Sequence, residues 1–255
     1  MKRIQLWSCG GGRQSAGLAA LIVEGELPRP DHVMMTALEW ERKATFQYVN
    51  TYIRPAMLAL GIPFTFVSRK KYAKNDFFGG ENETTVLIPV YTNQSGNLSK
   101  FSEFCSGKWK HDVSLRWAAE QPGWKQQGVD NWIGISRDEG HRRRSPNRLW
   151  NVPVYPLLDI RPTTVAGCLM AVARQGWPDP PRSRCEHCPN QSDAEWDELD
   201  DDEWERACKT DEMIREVDPH AFLHKSLMPL RMVKLDPKDN NGGLFGGGCT
   251  SGMCY

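Results

Sequence analysis

Two groups of residues in this chain have types and spacing suited to chemistry. The first is "SCGGGRQS", residues 8–15, where three consecutive glycines follow the apolar run Ile4-Gln5-Leu6-Trp7 and precede an Ala/Leu-rich stretch. A strand, then glycines, then a helix brings backbone N–H groups and the positive helix end toward an anion, and glycine allows close approach. No Gly-Lys-Ser/Thr follows and G-x-G-x-x-G is not matched, so by spacing alone the loop reads equally as a phosphate cradle or a tight turn. The second group is cysteine: of eight, Cys185-x-x-Cys188 and Cys249-x4-Cys254 form close pairs. Cys185 and Cys188 can place two thiolates on one ion, with Pro189 stiffening the knuckle. Zinc would need two further N or S ligands at roughly 2.3 Å for sulfur, which Cys249 and Cys254 could supply. A 4Fe-4S cluster is the other choice for thiolate ligands. The Gly-rich tail "GGGCTSGMCY" leaves a further alternative, in which Cys249 or Cys254 swings in as a nucleophile with the other as resolving thiol. Cys9, Cys168 and Cys208 read as small buried residues, and His187, inside the knuckle, as a hydrogen-bond donor behind the ligands or an exposed side chain rather than a ligand.

A third cluster is basic. Between 137 and 148, Arg137, Arg142, Arg143, Arg144 and Arg148 face only Asp138 and Glu139, a net of +3. Such a run suits bidentate phosphate binding, with Arg143 and Arg144 the expected contacts. The alternative is a solvated loop paired with the acidic stretch 195–205. Overall the chain is balanced, with 32 basic and 32 acidic residues in 255, so polyanion contact must come from local clustering. No apolar run approaches ~18 residues, so no membrane span is predicted. The start lacks the apolar core of a signal peptide, and the expected compartment is the cytoplasm, where clustered cysteines point to metal or redox chemistry.

The elements that must hold these residues alternate. Strands are predicted at 3–8, 31–38, 63–69 and 131–136, and helices at 13–24, 41–61 (disturbed at Pro55, capped near Gly61) and 106–121. A further helix opens near Thr163 or Thr164, and an acidic helix follows the knuckle, broken near its aspartate run. Residues 70–104 read as a long loop or inserted hairpin with turns at 79–80 and 95–97. Trp109, Trp117 and Trp196 read as packing residues. Alternation of this kind predicts an α/β fold, a Rossmann-like doubly wound parallel sheet with a C-terminal cysteine-bearing extension, divided as 1–160 and 161–255. Ligands on such sheets collect at the carboxyl ends of the strands, where the glycine loop falls.

Five segments, in order, resemble one family. "GGGRQS" resembles the pyrophosphate loop S-G-G-x-D-S, with Gly10 at its first serine, Gln14 at its aspartate and Ser15 at its last serine. "ALEWERKAT" resembles A-D-T-G-x-E-x-x-x-T, matching at Glu41 and Thr45, with Ala37 and Leu38 replacing Asp-Thr. "CSGKWKHDV" resembles C-x-x-x-x-K-x-x-P through Cys105 and Lys110, with Val113 for the proline. "GISRDEGHR" resembles G-I-x-x-x-E-x-x-R, and "RCEHCP … W" a G-C-x-x-C-P … W knuckle. The chain thus resembles the PP-loop ATP pyrophosphatases of the phosphoadenosine-phosphosulfate (PAPS) reductase-like family, whose fold is of the HUP type. "FLHKSLMPLRMV" and "CTSGMC" look like the ending of its DNA- and phage-associated members.

The resemblance implies ATP and Mg²⁺ at Ser8, Gly10, Gly11, Gly12, Arg13, Gln14, Ser15 and Glu41, with Ser15, Lys110, Arg143 and Arg144 in catalysis. It adds Cys105 to Cys185 and Cys188 as cluster ligands, with Ser106 where some members carry a second cysteine. The implied reaction is adenylation of an oxyanion for sulfur insertion, with DNA phosphorothioation favoured. A cysteine desulfurase would be the sulfur donor and DNA the acceptor, through other subunits if needed. A PAPS or adenosine-phosphosulfate reductase, a tRNA thiolation enzyme and a non-catalytic nucleotide-binding subunit are the alternatives.

Overall fold

The computed structural model describes residues 2–73, 75–79, 85–94, 96, 98–101, 105–146 and 148–239. Among the described residues the chain forms two compact units, one within 2–72 and 109–183 and the other within 73–108 and 184–239. The division falls at 183/184 rather than near residue 160, because the helix after Thr164 packs on the first helix of the chain.

The first unit is an α/β layer structure. Its central sheet holds β1 (Ile4–Ser8), β2 (His32–Ala37), β3 (Phe64–Ser68), β4 (Val129–Ile133) and β5 (Asn151–Val154), all parallel in the order β3-β2-β1-β4-β5. β1 lies at the centre, with Leu6 and Trp7 fully buried, as expected for a strand covered on both faces. This order changes direction between β1 and β4, so the loops leaving those two strands open a crevice at one edge of the sheet. The predicted strand 131–136 is corrected to Val129–Ile133. Pairing with β1 runs only from Ile4↔Val129 to Ser8↔Ile133, and Ile135 continues the apolar run as a buried residue beyond the sheet.

Helix α1 (Arg13–Val23) is buried from Ser15 to Ile22, consistent with its small and aliphatic composition. It packs on α4 (Val165–Arg174) so closely that a Cβ on Gly17 would lie 2.3 Å from Cys168 Cβ. Between β2 and β3 runs α2, residues 43–59, whose middle stretch Val49–Ile53 is a wider π turn immediately before Pro55. Proline has no N–H to close the regular ladder, and the widened turn absorbs the misfit. Gly61 follows with φ +74 and ends the helix as predicted. Helix α3 (Asp112–Glu120) continues from the π turn Gly107–His111 and carries Ser114 and Trp117 inward. Thr164 caps α4 through its side chain, which accepts from Gly167 N–H at 3.1 Å.

In the second unit, the stretch read as a long loop or an inserted hairpin contains two-residue strands. Phe78–Gly79 pairs with Thr85–Val86, and Tyr91–Thr92 lies between Ser99–Lys100 and Ala221–Phe222. The acidic segment is two helices, α5 (Asp193–Asp197) and α6 (Asp201–Val217), and each opens with a capping box, Ser192/Glu195 and Asp200/Glu203. Asp211 of α6 is fully buried and accepts from the N–H groups of Leu223 and Leu230 at 3.0 Å each, which ties the following segment to the helix. Arg231 pairs with Glu205 and Glu212 at 2.7 Å. Among the described residues no helix is long and apolar enough to cross a membrane.

Candidate nucleotide site

The glycine loop leaves β1 at the crevice. Cys9 N–H still donates to Met34 C=O of β2 at 2.8 Å, and the chain then turns inward. Gly10 N–H donates to the Ser15 hydroxyl at 3.1 Å, closing the loop over the first turn of α1. Gly11 takes φ +76, and a Cβ there would meet Thr45 Cγ2 at 2.7 Å and Val49 Cγ2 at 2.9 Å. Glycine is therefore required twice at this position, by conformation and by space. Gly12 is the N-cap of α1, and Ala16 N–H returns to its carbonyl at 2.9 Å. Among the described residues no side chain caps this helix, and its first turn holds no acid.

Beneath the loop the polar groups are ordered. Ser8 Oγ donates to Asn131 Oδ1 at 2.7 Å, leaving Ser114 to donate to Ser8 Oγ at 2.9 Å. A cleft of about 260 Å³, counting the space open to solvent, is lined by Ser8, Cys9, Gly10, Met34, Thr36 and Lys110, with Met35 and Ser114 completing it. Lys110 Nζ lies 2.9 Å from Glu41 Oε2, a carboxylate with no exposed side-chain surface, and Ser183 Oγ donates to the other oxygen at 2.9 Å. Burial pushes the Cys9 thiol up to about 12 against the opposing pull of Gly11 N–H, Ser15 and Lys110. Cys9 is accordingly a protonated wall of the cleft at neutral pH, not a nucleophile.

The structure brings Ser8, Gly10, Gly11, Gly12, Ser15, Glu41 and Lys110 to one end of the sheet. It directs others elsewhere. Gln14 does not turn to the loop: its Nε2 donates to Glu139 Oε2 at 2.9 Å. Arg13 is exposed at the first helical position. Arg143, expected on phosphate, pairs with Asp159 at 2.7 Å and lies over the Tyr155 ring. Arg144 is exposed, with its backbone N–H held by Tyr155 Oη at 3.0 Å. Arg142 reaches this end of α1 through Glu139: its Nη1 lies 2.7 Å from the same Glu139 oxygen that holds Gln14. Glu139 and Arg142 are the acidic and basic members of the quoted "GISRDEGHR" pattern, and that spacing was the signal for them.

Comparison of the chain with family models, curated proteins and solved structures finds no match.

Cys105, Cys185 and Cys188 belong to the second unit. Cys188 N–H donates to Cys185 C=O at 3.1 Å, so the C-x-x-C segment is one tight turn. His187 within it is buried, which excludes the exposed alternative, and meets the Phe77 ring edge-on at 4.6 Å. Burial pushes its imidazole down to about 3, so it is neutral. Among the described residues no group of three or more His, Cys, Asp or Glu side chains could hold a metal ion. Cys249 and Cys254 lie outside the described residues. Cys9, Cys168 and Cys208 are buried as expected, as are Trp109, Trp117 and Trp196.

Proposed function

We propose that the first unit binds Mg²⁺-ATP at the glycine loop and catalyses adenylyl transfer with release of pyrophosphate. The observation that carries this reading is the uncapped, acid-free N-terminus of α1 where the sheet order reverses, preceded by a loop whose Gly10 lines one cleft with Lys110. An acceptor oxyanion attacks the α-phosphorus, the bond from it to the bridging oxygen breaks, and pyrophosphate leaves with the electron pair. Loop amides and Lys110 meet the charge that grows on the non-bridging oxygens, in geometry fixed before the ligand arrives. Glu41 holds Lys110 in place, and Ser15 holds the loop closed. No acidic side chain of the loop competes with the phosphates, and Mg²⁺ takes its ligands chiefly from them.

The resemblance extends this reading to sulfur insertion, with DNA as acceptor and a cysteine desulfurase as donor. Chain geometry supports the adenylation half. Incubation with ATP labelled at the α-phosphate, together with the desulfurase and duplex DNA, tests the reading. AMP and pyrophosphate in equal amounts are expected. Sulfite formed from adenosine phosphosulfate, with ATP untouched, would make the chain a reductase. Tight ATP binding without turnover would make it a binding subunit.

A further inference from the structure

The nucleotide site does not absorb three arginines of the basic segment, Arg137, Arg144 and Arg148, and all three are exposed. Their backbones are nonetheless anchored to the first unit at three separate places. Arg137 N–H donates to Thr163 C=O at 2.8 Å, and Arg148 C=O accepts from Asn151 N–H at 3.3 Å. Arg144 is held twice by one buried tyrosine, whose Oη accepts from its N–H at 3.0 Å and donates to its C=O at 3.2 Å. The acids nearby are committed elsewhere. Both oxygens of Asp138 take the Val165 N–H at 3.2 Å, Glu139 takes Gln14 and Arg142, and Asp159 takes Arg143. Among the described residues no carboxylate pairs with Arg137, Arg144 or Arg148.

Their placement follows one edge of the sheet. Arg137 opens the turn that follows β4, and Arg144 is clamped by Tyr155, the residue after β5, so both stand at the carboxyl end, where the glycine loop lies. Arg148 lies beside Asn151, the first residue of β5, at the opposite end. β5 is the terminal strand of the sheet order, and its four residues span roughly 13 Å. The arginines therefore run from the rim of the crevice along an edge longer than one triphosphate covers. A DNA strand carries a phosphate about every 3.4 Å of its axis, so an edge of this length meets several in succession. Every Lys or Arg in 137–148 is an arginine, the cation whose planar fork fits phosphate oxygens and whose weaker hydration lowers the cost of contact. Anchored backbones reduce the ordering that binding must impose.

Resting on the reading above that the acceptor is DNA, we infer that Arg137, Arg144 and Arg148 form the surface that takes its sugar–phosphate backbone. The strand lies along the β5 edge, and the end near Arg137 and Arg144 leads one phosphate toward the crevice. The chain carries 32 basic and 32 acidic residues, so attraction to DNA comes from this local row and not from net charge.

The test follows the anisotropy of a fluorescein-labelled DNA duplex titrated with the full chain at several salt concentrations, alongside calorimetric binding of Mg²⁺-ATP. Arg137→Ala, Arg144→Ala and Arg148→Ala combined should weaken the duplex by about tenfold or more at low salt. The slope of log affinity against log salt should fall by about 2–3, the counterions of three phosphate contacts. A second triple variant removes the same charge from the opposite edge. It replaces with alanine Arg29, which lies 3.4 Å from Leu60 C=O, Arg54, which lies over the Phe66 ring of β3, and the exposed Lys70. That variant should change duplex affinity by less than about twofold, and both should bind ATP as the parent does. No duplex binding by the parent, equal losses in the two variants, or an unchanged salt slope would overturn the inference and leave the nucleotide site standing. Binding of phosphatidylserine vesicles that the first variant alone loses, with the duplex still held, would also overturn it by making the edge a lipid surface. Failure of the parent to bind ATP while the duplex result holds would remove the nucleotide reading and not this surface.

Discussion

Gly11→Ala should abolish measurable nucleotide binding and destabilise the first unit by about 2–5 kcal/mol, combining left-handed backbone strain with overpacking. The new methyl would stand 2.7 Å from Thr45 Cγ2, 2.9 Å from Val49 Cγ2 and 3.3 Å from Met35 Cε. Those neighbours are fully or almost fully buried and have no space to retreat into. Relief must come from the loop, whose amides then lose their aim, and each charge-assisted bond lost costs roughly tenfold or more in affinity. Gly25 provides the control. It shares the left-handed conformation at φ +75, but nothing lies within 4 Å of its Cβ position. Gly25→Ala should therefore carry the strain alone, about 1–2 kcal/mol, and bind ATP as the parent does. Chemical denaturation alongside calorimetric titration of the two variants checks both halves of the expectation.

Lys110→Met should have the second-largest effect, and for two separable reasons. The Glu41 carboxylate has no exposed surface, and removing its cation leaves a buried charge, which costs about 3–5 kcal/mol in comparable cases. Ser183 remains as a donor to that carboxylate, which places the expected loss toward the lower end. Neutralising both partners, Glu41→Gln with Lys110→Met, should recover most of the stability, since an uncharged pair of similar volume is often tolerated. ATP affinity should not recover, because the ammonium that faces the cleft is still missing. Urea midpoints that return while ATP binding does not would separate the structural duty of the pair from its ligand duty. Recovery of both together would show that Lys110 only supports the fold.

Much of the first unit could be read from the sequence because its strands are buried on both faces and each is followed by a helical stretch of apolar period. The glycines after Trp7, the proline within 41–61 and the threonines before 165 placed their boundaries closely. The end of β4 was misplaced for a physical reason. Ile135 is as buried as the strand residues, but it packs with Ile133 and Tyr155 under the loop, so hydropathy runs past the last ladder bond. Strands of two residues, such as Tyr91–Thr92, are too short to carry a period, and their pairing with Ala221–Phe222 spans a sequence distance that no local pattern encodes.

The site was legible in its loop and less so in its arginines. Of three consecutive arginines, sequence favoured Arg143 and Arg144. The 3-10 turn Arg137–Arg142 instead aligns residues three apart, so Glu139 and Arg142 share a face while Arg143 and Arg144 follow the turn's end. Ser183 had no signal at all. Its place depends on a proline-rich strap returning to a helix start about 170 positions earlier in the chain, a relation fixed by tertiary packing.

The central claim, that main-chain amides at the start of α1 grasp a nucleoside triphosphate, is tested most directly by amide resonances. Titration of the isotopically labelled chain with Mg²⁺ and a non-hydrolysable ATP analogue should shift the N–H signals of Gly11, Gly12, Arg13 and Gln14 furthest, with saturation at one equivalent. If those four signals stay fixed while others move, or if none moves at millimolar analogue, the loop is only a turn and the proposed enzyme is wrong.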